Sequence, residues 1–215
     1  MIAVRGLPDP SPVEPLPDDL AVALEAARGD LIHVGSPVVF LPSTASTNDE
    51  AARLAEAGSA DGTTVIADTQ TSGRGRMGRT WFSPAGAGLY VSVIMRLGTV
   101  GSLPQGGDTP DAARVPLPAR LTLLAGVALA EAVRAATGLP ADIKWPNDLV
   151  FSGKKLAGIL AEGTLQQGVI ENVILGVGIN VRAASYPPDI AHRASSLETE
   201  LGRPVDRGLL LATLL

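Results

Sequence analysis

No cysteine occurs anywhere in the 215 residues. That excludes disulfides, thiol catalysis and cysteine metal sites, and it agrees with a reducing compartment. His33 and His192 are the only histidines. With so few nitrogen and sulfur ligands, neither a structural zinc nor a Ser-His-Asp triad is expected. Aromatic residues make up 3% of the chain, so Ala, Val and Leu must fill the core that a 46% hydrophobic composition allows. There is no basic excess: 17 Lys and Arg against 22 Asp and Glu leave a net charge of −5, the wrong sign for a general nucleic-acid binder. The longest apolar stretch, Leu121 to Val133, is interrupted by Thr122 and Glu131 and is too short to span a bilayer. The N-terminus, Met1-Ile-Ala-Val-Arg-Gly-Leu-Pro8, has no apolar signal-peptide segment. A cytoplasmic, soluble protein of one ordinary domain is expected.

Proline and glycine divide the rest. Residues 1–18 carry five prolines and read as a disordered lead, with one folded domain from 19 to 215. Residues 98–118 form a Gly/Pro-rich insertion, which also reads as disordered. Helices are expected over Asp19–Arg28, Thr47–Ala57 and Ala119–Thr137, the last almost wholly apolar and central, with shorter ones near Ser195–Glu200 and from Asp206. Strands are expected at Pro37–Leu41, Thr63–Asp68 and Gly88–Arg96. Three more are expected at Asp142–Trp145, at Leu149–Phe151 running through Lys155–Glu162, and at Gly168–Val181. Turns fall at Pro146-Asn-Asp, Ser152-Gly and Gln166-Gln-Gly. Strands in runs with helices grouped apart predict an α+β fold on a mixed sheet.

The most informative stretch is Asp68-Thr-Gln-Thr-Ser-Gly-Arg-Gly-Arg-Met-Gly-Arg-Thr-Trp81. It sets Arg74, Arg76 and Arg79 among Gly73, Gly75 and Gly78, after a β-branched run. Glycine lets backbone close around a ligand, and arginine brings a fixed fork suited to carboxylate and phosphate. A loop closing over an anion is the reading. Gly73-x-Gly75-x-x-Gly78 has the spacing of the dinucleotide fingerprint, but no helix opens at Trp81-Phe-Ser-Pro and no acid lies between Asp68 and Asp108, so that match is rejected.

Other signals are moderate. Ser46-Thr47-Asn48-Asp49-Glu50 starts a helix, with Thr47 and Glu50 at capping-box spacing; its free hydroxyl and amide groups would also suit a polar ligand group. Lys144-Trp145-Pro146-Asn147-Asp148 ends a strand in a turn. That is either a turn beside a core tryptophan or a metal-phosphate seat, with Asp for Mg²⁺ and Lys for phosphate. Gly153-Lys154-Lys155-Leu156-Ala157-Gly158 fits no P-loop frame and reads equally as a solvated hairpin. Gly176-Val-Gly178-Ile-Asn180 ends an apolar strand on an amide.

Taken in order, the Ser-Thr-Asn helix start, Gly-Arg-Gly-Arg-x-Gly-Arg-x-Trp, Lys-Trp-Pro-Asn-Asp, Lys-Leu-Ala-Gly and Gly-x-Gly-Ile-Asn resemble the catalytic domain of the biotin protein ligases, from about Ser43 to Val181. The related lipoate ligases share the fold without this Gly-Arg loop. The resemblance implies a class II aminoacyl-tRNA synthetase-like mixed sheet, with helices packed mainly on one face. It also implies an enzyme that makes biotinyl-5′-AMP from biotin and MgATP and passes biotin to one lysine of a biotin carboxyl carrier protein.

By the same resemblance, Ser46, Thr47 and Gln70 hydrogen-bond the biotin ureido group, with Asn48 nearby. Gly73 and Gly158 give room to the ligand, and Trp81 walls the site. Arg74, Arg76 and Arg79 cover carboxylate and phosphates. Lys155, rather than Lys154, bridges carboxylate and α-phosphate, so Lys155, Arg74 and Arg76 are the catalytic candidates. Lys144, Asn147 and Asn180 seat the nucleotide with Trp81 and the arginines, and Asp148 takes Mg²⁺. Adenylation needs no enzyme nucleophile, only positioning and positive charge, which agrees with the residues that are missing.

About 42 residues precede the Ser-Thr-Asn motif, Pro-rich and poor in basic residues, so no DNA binding is expected. The small SH3-like barrel found in the family is expected to be absent or truncated, since the chain stops at Leu209–Leu215. A homodimer by edge-to-edge sheet pairing is implied, with Gly168–Val181 long enough to offer the edge. No membrane partner is expected.

Overall fold

The computed structural model describes residues 14–96, 116–166 and 169–215. Most of the Pro-rich lead and most of the 98–118 insertion lie outside the described residues. The described end of the lead begins at Glu14, whose N–H donates to the Phe40 carbonyl at 3.2 Å.

The elements follow in the order α1 (Asp18–Ala26), β1 (Val38–Thr44), α2 (Thr47–Glu56), β2 (Thr64–Gln70), β3 (Gly88–Arg96), α3 (Leu117–Thr137), β4 (Asp142–Lys144), β5 (Asp148–Phe151), β6 (Lys154–Gln166), β7 (Val169–Asn180), α4 (Pro188–Ala191), α5 (Leu197–Leu201) and α6 (Arg207–Leu214). One seven-stranded sheet runs β1-β2-β3-β7-β6-β5-β4. Only β1 and β2 pair in parallel; the other neighbours are antiparallel. The sheet is therefore mixed, as the sequence predicts.

Alternation along the strands assigns the two faces. Leu89, Val91 and Val93 of β3 and Val177 and Ile179 of β7 point to the larger core, with Leu129, Ala132 and Val133 of α3, Leu20 and Leu24 of α1, and Leu210 and Leu211 of α6. Ile94 and Ile174 point the other way, against Ala51 and Ala55 of α2. So, among the described residues, α1, α3 and α6 cover one face and α2 is the helix that packs on the other. α2 covers only part of its face, and the cavity described below opens beside it.

Several expectations are corrected. β7 lies between β3 and β6 and is hydrogen-bonded on both sides, so it offers no free edge; β1 and β4 end the sheet. The expected Ser152-Gly turn is present, with Ser152 at φ 49° and Gly153 at φ 77° as two-residue hairpin turns require; what changes is that Leu149–Phe151 and Lys155–Glu162 belong to two antiparallel strands and not to one running through. α3 is not central: Leu123, Leu124 and Val127 are exposed along its outer side, at 41, 66 and 48%. Trp145 is no core residue, standing 77% exposed. Among the described residues no helix is long and apolar enough to cross a membrane.

Candidate functional site

A cavity of about 470 Å³ opens over β6 and β7, beside the N-terminus of α2. That lies within the ~300–1,000 Å³ usual for small-molecule pockets. Its floor is made of glycines. Gly158, Gly176 and Gly178 all line it, and a Cβ at Gly178 would stand 2.5 Å from Trp81 Nε1. At Gly176 it would stand 2.2 Å from Asn48 Oδ1, and at Gly158 3.1 Å from Lys155 Nζ and from the Trp81 ring. The bare backbone of β7 is what lets a tryptophan and an asparagine come this close to the sheet. The sequence shows these glycines but not what rests on them.

At the inner end, the predicted helix start is wired differently from a capping box. Ser46 is the N-cap residue, yet no side chain caps the helix. The Thr47 N–H and Oγ1–H both donate to Gln70 Oε1, at 2.8 and 3.1 Å, and Glu50 turns to Arg53 at 2.5 Å. Tertiary partners have replaced the local cap. Gln70 Nε2 donates to Ser83 Oγ at 2.8 Å, and Ser83 Oγ to the Trp81 carbonyl at 3.2 Å. Ser92 Oγ sits 2.8 Å from Thr47 Oγ1 and 2.6 Å from Asn48 Oδ1. Asn48 Nδ2 donates to Glu162 Oε2 at 2.7 Å. Thr47 and Gln70 reach the cavity; Ser46 and Asn48 are buried behind it.

In the middle, Lys155 Nζ lies 5.1 Å from the centroid of the Trp81 ring, a cation–π distance. It also lies 2.6 Å from Asp148 Oδ1, an ion pair by distance that lacks the alignment of a hydrogen bond. The backbone around Lys155 is fixed: its N–H donates to the Arg193 carbonyl at 2.7 Å, and its carbonyl accepts from Ser195 N–H at 3.0 Å. Asn180 Nδ2 ties the same segment, donating to the Ser195 carbonyl at 2.9 Å and the Lys155 carbonyl at 3.4 Å. Asn147 anchors its turn through Nδ2 to the Ile159 carbonyl, at 2.9 Å. Lys144, Asn147, Asp148, Lys155 and Asn180 all line the cavity; Lys154 does not.

The glycine-arginine loop forms the roof. It makes a single 3₁₀ turn at Arg76–Gly78, with Met77 at φ 59°, not the helix a dinucleotide site needs. Gly73 admits the return strand: its carbonyl accepts from Trp81 N–H at 2.8 Å, and a Cβ there would lie 2.5 Å from the Trp81 carbonyl oxygen. Arg76 and Arg79 line the cavity. Arg74 turns outward to Asp49 and to Glu162, the latter at 2.8 Å. Burial opposes its charge, but the bonds to Asp49 and Glu162 outweigh that and raise its pKa.

Sequence reasoning missed the outer wall, made by Phe82, Tyr186, Asp189, Ile190 and Arg193. Phe82 and Tyr186 meet edge to face at 6.1 Å, and burial pushes the Tyr186 hydroxyl up to about 12. Nothing around 186–193 resembles a motif. Ser83, Ser92 and Glu162 were missed as well, although Ser83 closes the Trp-Phe-Ser run. Trp81 Nε1 is buried without a hydrogen-bond partner among the described residues, which suits an acceptor on a bound molecule. Among the described residues no three potential metal ligands come together; Asp148 is a single carboxylate.

The profile of the biotin/lipoate A/B protein ligase family matches residues 40–180. A bifunctional ligase/repressor BirA of Bacillus spizizenii is 38% identical over 177 residues, covering 81% of this chain and 50% of that one. A biotin–[acetyl-CoA-carboxylase] ligase of Mycobacterium tuberculosis is 37% identical over 174 residues, covering 79% and 59%. Among solved structures, a biotin protein ligase from Aquifex aeolicus in complex with biotin and ATP superposes with a TM-score of 0.64 at 33% identity, over 83% of this chain and 67% of that one. The chain thus spans about half the length of the curated ligase/repressors it matches.

Proposed function

The chain belongs to the biotin/lipoate A/B protein ligase family, and from that premise we propose that it joins biotin to AMP, using MgATP, and passes biotin to a lysine of a biotin carboxyl carrier protein. The observation that carries this reading is one cavity with two unlike ends. A neutral hydrogen-bonding pair, Thr47 and Gln70, stands at the inner end, and five cations, Lys155, Arg76, Arg79, Lys144 and Arg193, line the rest. Biotin has the matching polarity, a neutral polar ureido ring joined through an apolar stem to a carboxylate. A site wired to bond the ureido group rejects analogues lacking it, since its buried polar groups would be left unpaired.

In the reaction a biotin carboxylate oxygen attacks the α-phosphorus of ATP, the bond to the bridging oxygen breaks, and pyrophosphate leaves. Two anions must approach. Lys155 bridges carboxylate and α-phosphate, while Arg76 and Arg79 hold the phosphates from above. To do so Lys155 exchanges its contact with Asp148 for the substrate anions; Asp148 would then be the one protein carboxylate to hold Mg²⁺, which would supply positive charge against the phosphates. Trp81 covers the reacting atoms and, with Phe82, keeps water from the mixed anhydride. Lys144, Asn147 and Asn180 line the nucleotide end. In the second step the carrier lysine attacks the biotinyl carbonyl and AMP departs. A cytoplasmic location is part of the same reading, and a homodimer would pair through β1 or β4, the strands that end the sheet.

The experiment is pyrophosphate exchange into ATP, run with biotin beside lipoate. Exchange with biotin alone is expected. Exchange with lipoate alone would replace the substrate, and no exchange with either would overturn the adenylating reading.

A further inference from the structure

β6 and β7 separate at Lys155. They pair from Gln166↔Val169 down to Ala157↔Ile179. Beyond that β7 stays with β3, Asn180 opposite Gly88 and the Val181 N–H donating to the Ala87 carbonyl at 3.0 Å. Residues 193–195 enter the gap as a wedge, and Ala194 makes a parallel bridge with Lys155. Both backbone polar groups of Lys155 are spent on this wedge, its N–H on the Arg193 carbonyl at 2.7 Å and its carbonyl on the Ser195 N–H at 3.0 Å. On the other side, β5 shifts register between Leu149 and Val150, the residue that faces Lys155. The wedge therefore fixes the main chain from which the Lys155 side chain reaches Asp148 and Trp81.

The wedge has its own fastening. Ser195 is 3% exposed, and its Oγ–H donates to Glu200 Oε1, in α5, at 2.5 Å. Neither residue lines the cavity. The start of α5 does not need this bond, since Ser196 is the N-cap and accepts from the Thr199 N–H at 3.3 Å.

We propose that Ser195 and Glu200 are positioning residues for Lys155, their hydrogen bond fixing the 193–195 wedge and through it the point from which the lysine enters the cavity. That Lys155 acts in adenylation rests on the reading above. A hydrogen bond to a carboxylate is among the stronger kinds, and a reacting group displaced by about 1 Å can cost ~10²-fold in rate.

The test is biotin-dependent pyrophosphate exchange with Ser195→Ala, Glu200→Ala and Glu200→Gln, each also combined with Lys155→Ala. Each alanine variant removes the bond from its own side, so misfolding of one leaves the other to decide. Both are expected to lower kcat ~10-fold, a part of the full cost of misplacement. The biotin KM should stay within ~2-fold of native, because the inner end of the cavity is untouched and only transition-state contacts are lost. Glu200→Gln, whose amide oxygen still accepts from Ser195, should stay near the native rate. In the Lys155→Ala background the alanine changes should cost less than ~2-fold more, since residues that act through one group are not additive.

Native kcat in both alanine variants would overturn the proposal. So would a loss of equal size with and without Lys155, because the bond would then serve the fold alone. Glu200→Gln as slow as Glu200→Ala would overturn it too, because the charge and not the bond would matter. Absence of exchange in the native chain would remove the adenylating reading and this proposal together, whereas native exchange with unaffected variants removes this proposal only.

Discussion

The indole of Trp81 lies on the bare backbone of Gly178, so close that a methyl group there would stand 2.5 Å from Nε1. The same ring lies 5.1 Å from Lys155 Nζ. The placement of the candidate catalytic lysine and of the wall above it therefore depends on a missing side chain in the strand below.

Gly178→Ala should lift Trp81 off the sheet. Overpacking costs ~1–3 kcal/mol, and the ring can escape part of it by moving into the cavity. Biotin affinity should fall at least ~10-fold, as measured by titration calorimetry. Tryptophan emission should shift to the red, because Trp145 is exposed already and Trp81 is the only other tryptophan. Native affinity in the variant would show that Trp81 does not wall the site.

Gly176 and Asn48 should be coupled in stability. A Cβ at 176 would lie 2.2 Å from Asn48 Oδ1, so Gly176→Ala alone should destabilise by ~1–3 kcal/mol. Asn48→Ala removes the clashing atoms but takes one hydrogen-bond partner from Ser92 and one from Glu162. In the double variant the two losses should sum to at least ~1 kcal/mol less than the singles, a coupling typical of contacting residues. Urea denaturation of the four proteins measures it. Strict additivity would contradict the packing described.

Lys155→Ala should slow biotin-dependent pyrophosphate exchange by at least ~10²-fold, the scale of losing one well-placed electrostatic donor. Lys154→Ala, outside the cavity, should stay near the native rate. The reverse ranking would move the bridging role to Lys154.

Asp19 gives a pH signature unrelated to catalysis. The side-chain hydrogen bond from Arg207, at 2.5 Å, holds its carboxyl below the ordinary 3.8, against a smaller opposing effect of burial. A carboxyl lowered in the folded state stabilises above its unfolded value and loses that contribution as the pH falls through the folded one. Asp19→Asn should therefore reduce stability at pH 7, by less than ~1 kcal/mol because the pair is partly exposed, and lower the melting temperature accordingly. The gap to the native protein should narrow below pH 3.8. A gap that widens in acid would refute the assignment.

The strands of the sheet were legible because their periodicity is strong. Gly88–Arg96 reads as a strand from its β-branched and aromatic residues, and β3 has those very bounds. The edge and the interior were not legible. β7 has the composition and length of a strand in either place, and only its pairing with both β3 and β6 rules out an edge. Trp145 shows the same limit in reverse. A large aromatic before Pro reads as core, whereas it projects from the turn that ends a short edge strand.

The candidate site divides along the same line. Local chemistry announces itself, so Gly73 to Trp81, Lys144 to Asp148 and Lys155 to Gly158 stood out as residue types that suit an anion at close quarters. Helix α2 showed where local reading stops, since a hydroxyl and an acid three positions apart match a capping box until Gln70 takes the hydroxyl.

From the sequence alone came the chemistry on hand: no thiol, no triad, a cluster of cations among glycines, and hence activation by positioning and charge. Tertiary structure decided which of those groups face one another. It set Trp81 on Gly178, turned Arg74 toward Asp49 and Glu162 and away from the cavity, and built an outer wall from residues 186–193 that carry no motif. The reason is physical: residue type fixes what a group can bond, while the pairing of distant strands fixes what lies within 3 Å of it, and no local pattern encodes that distance.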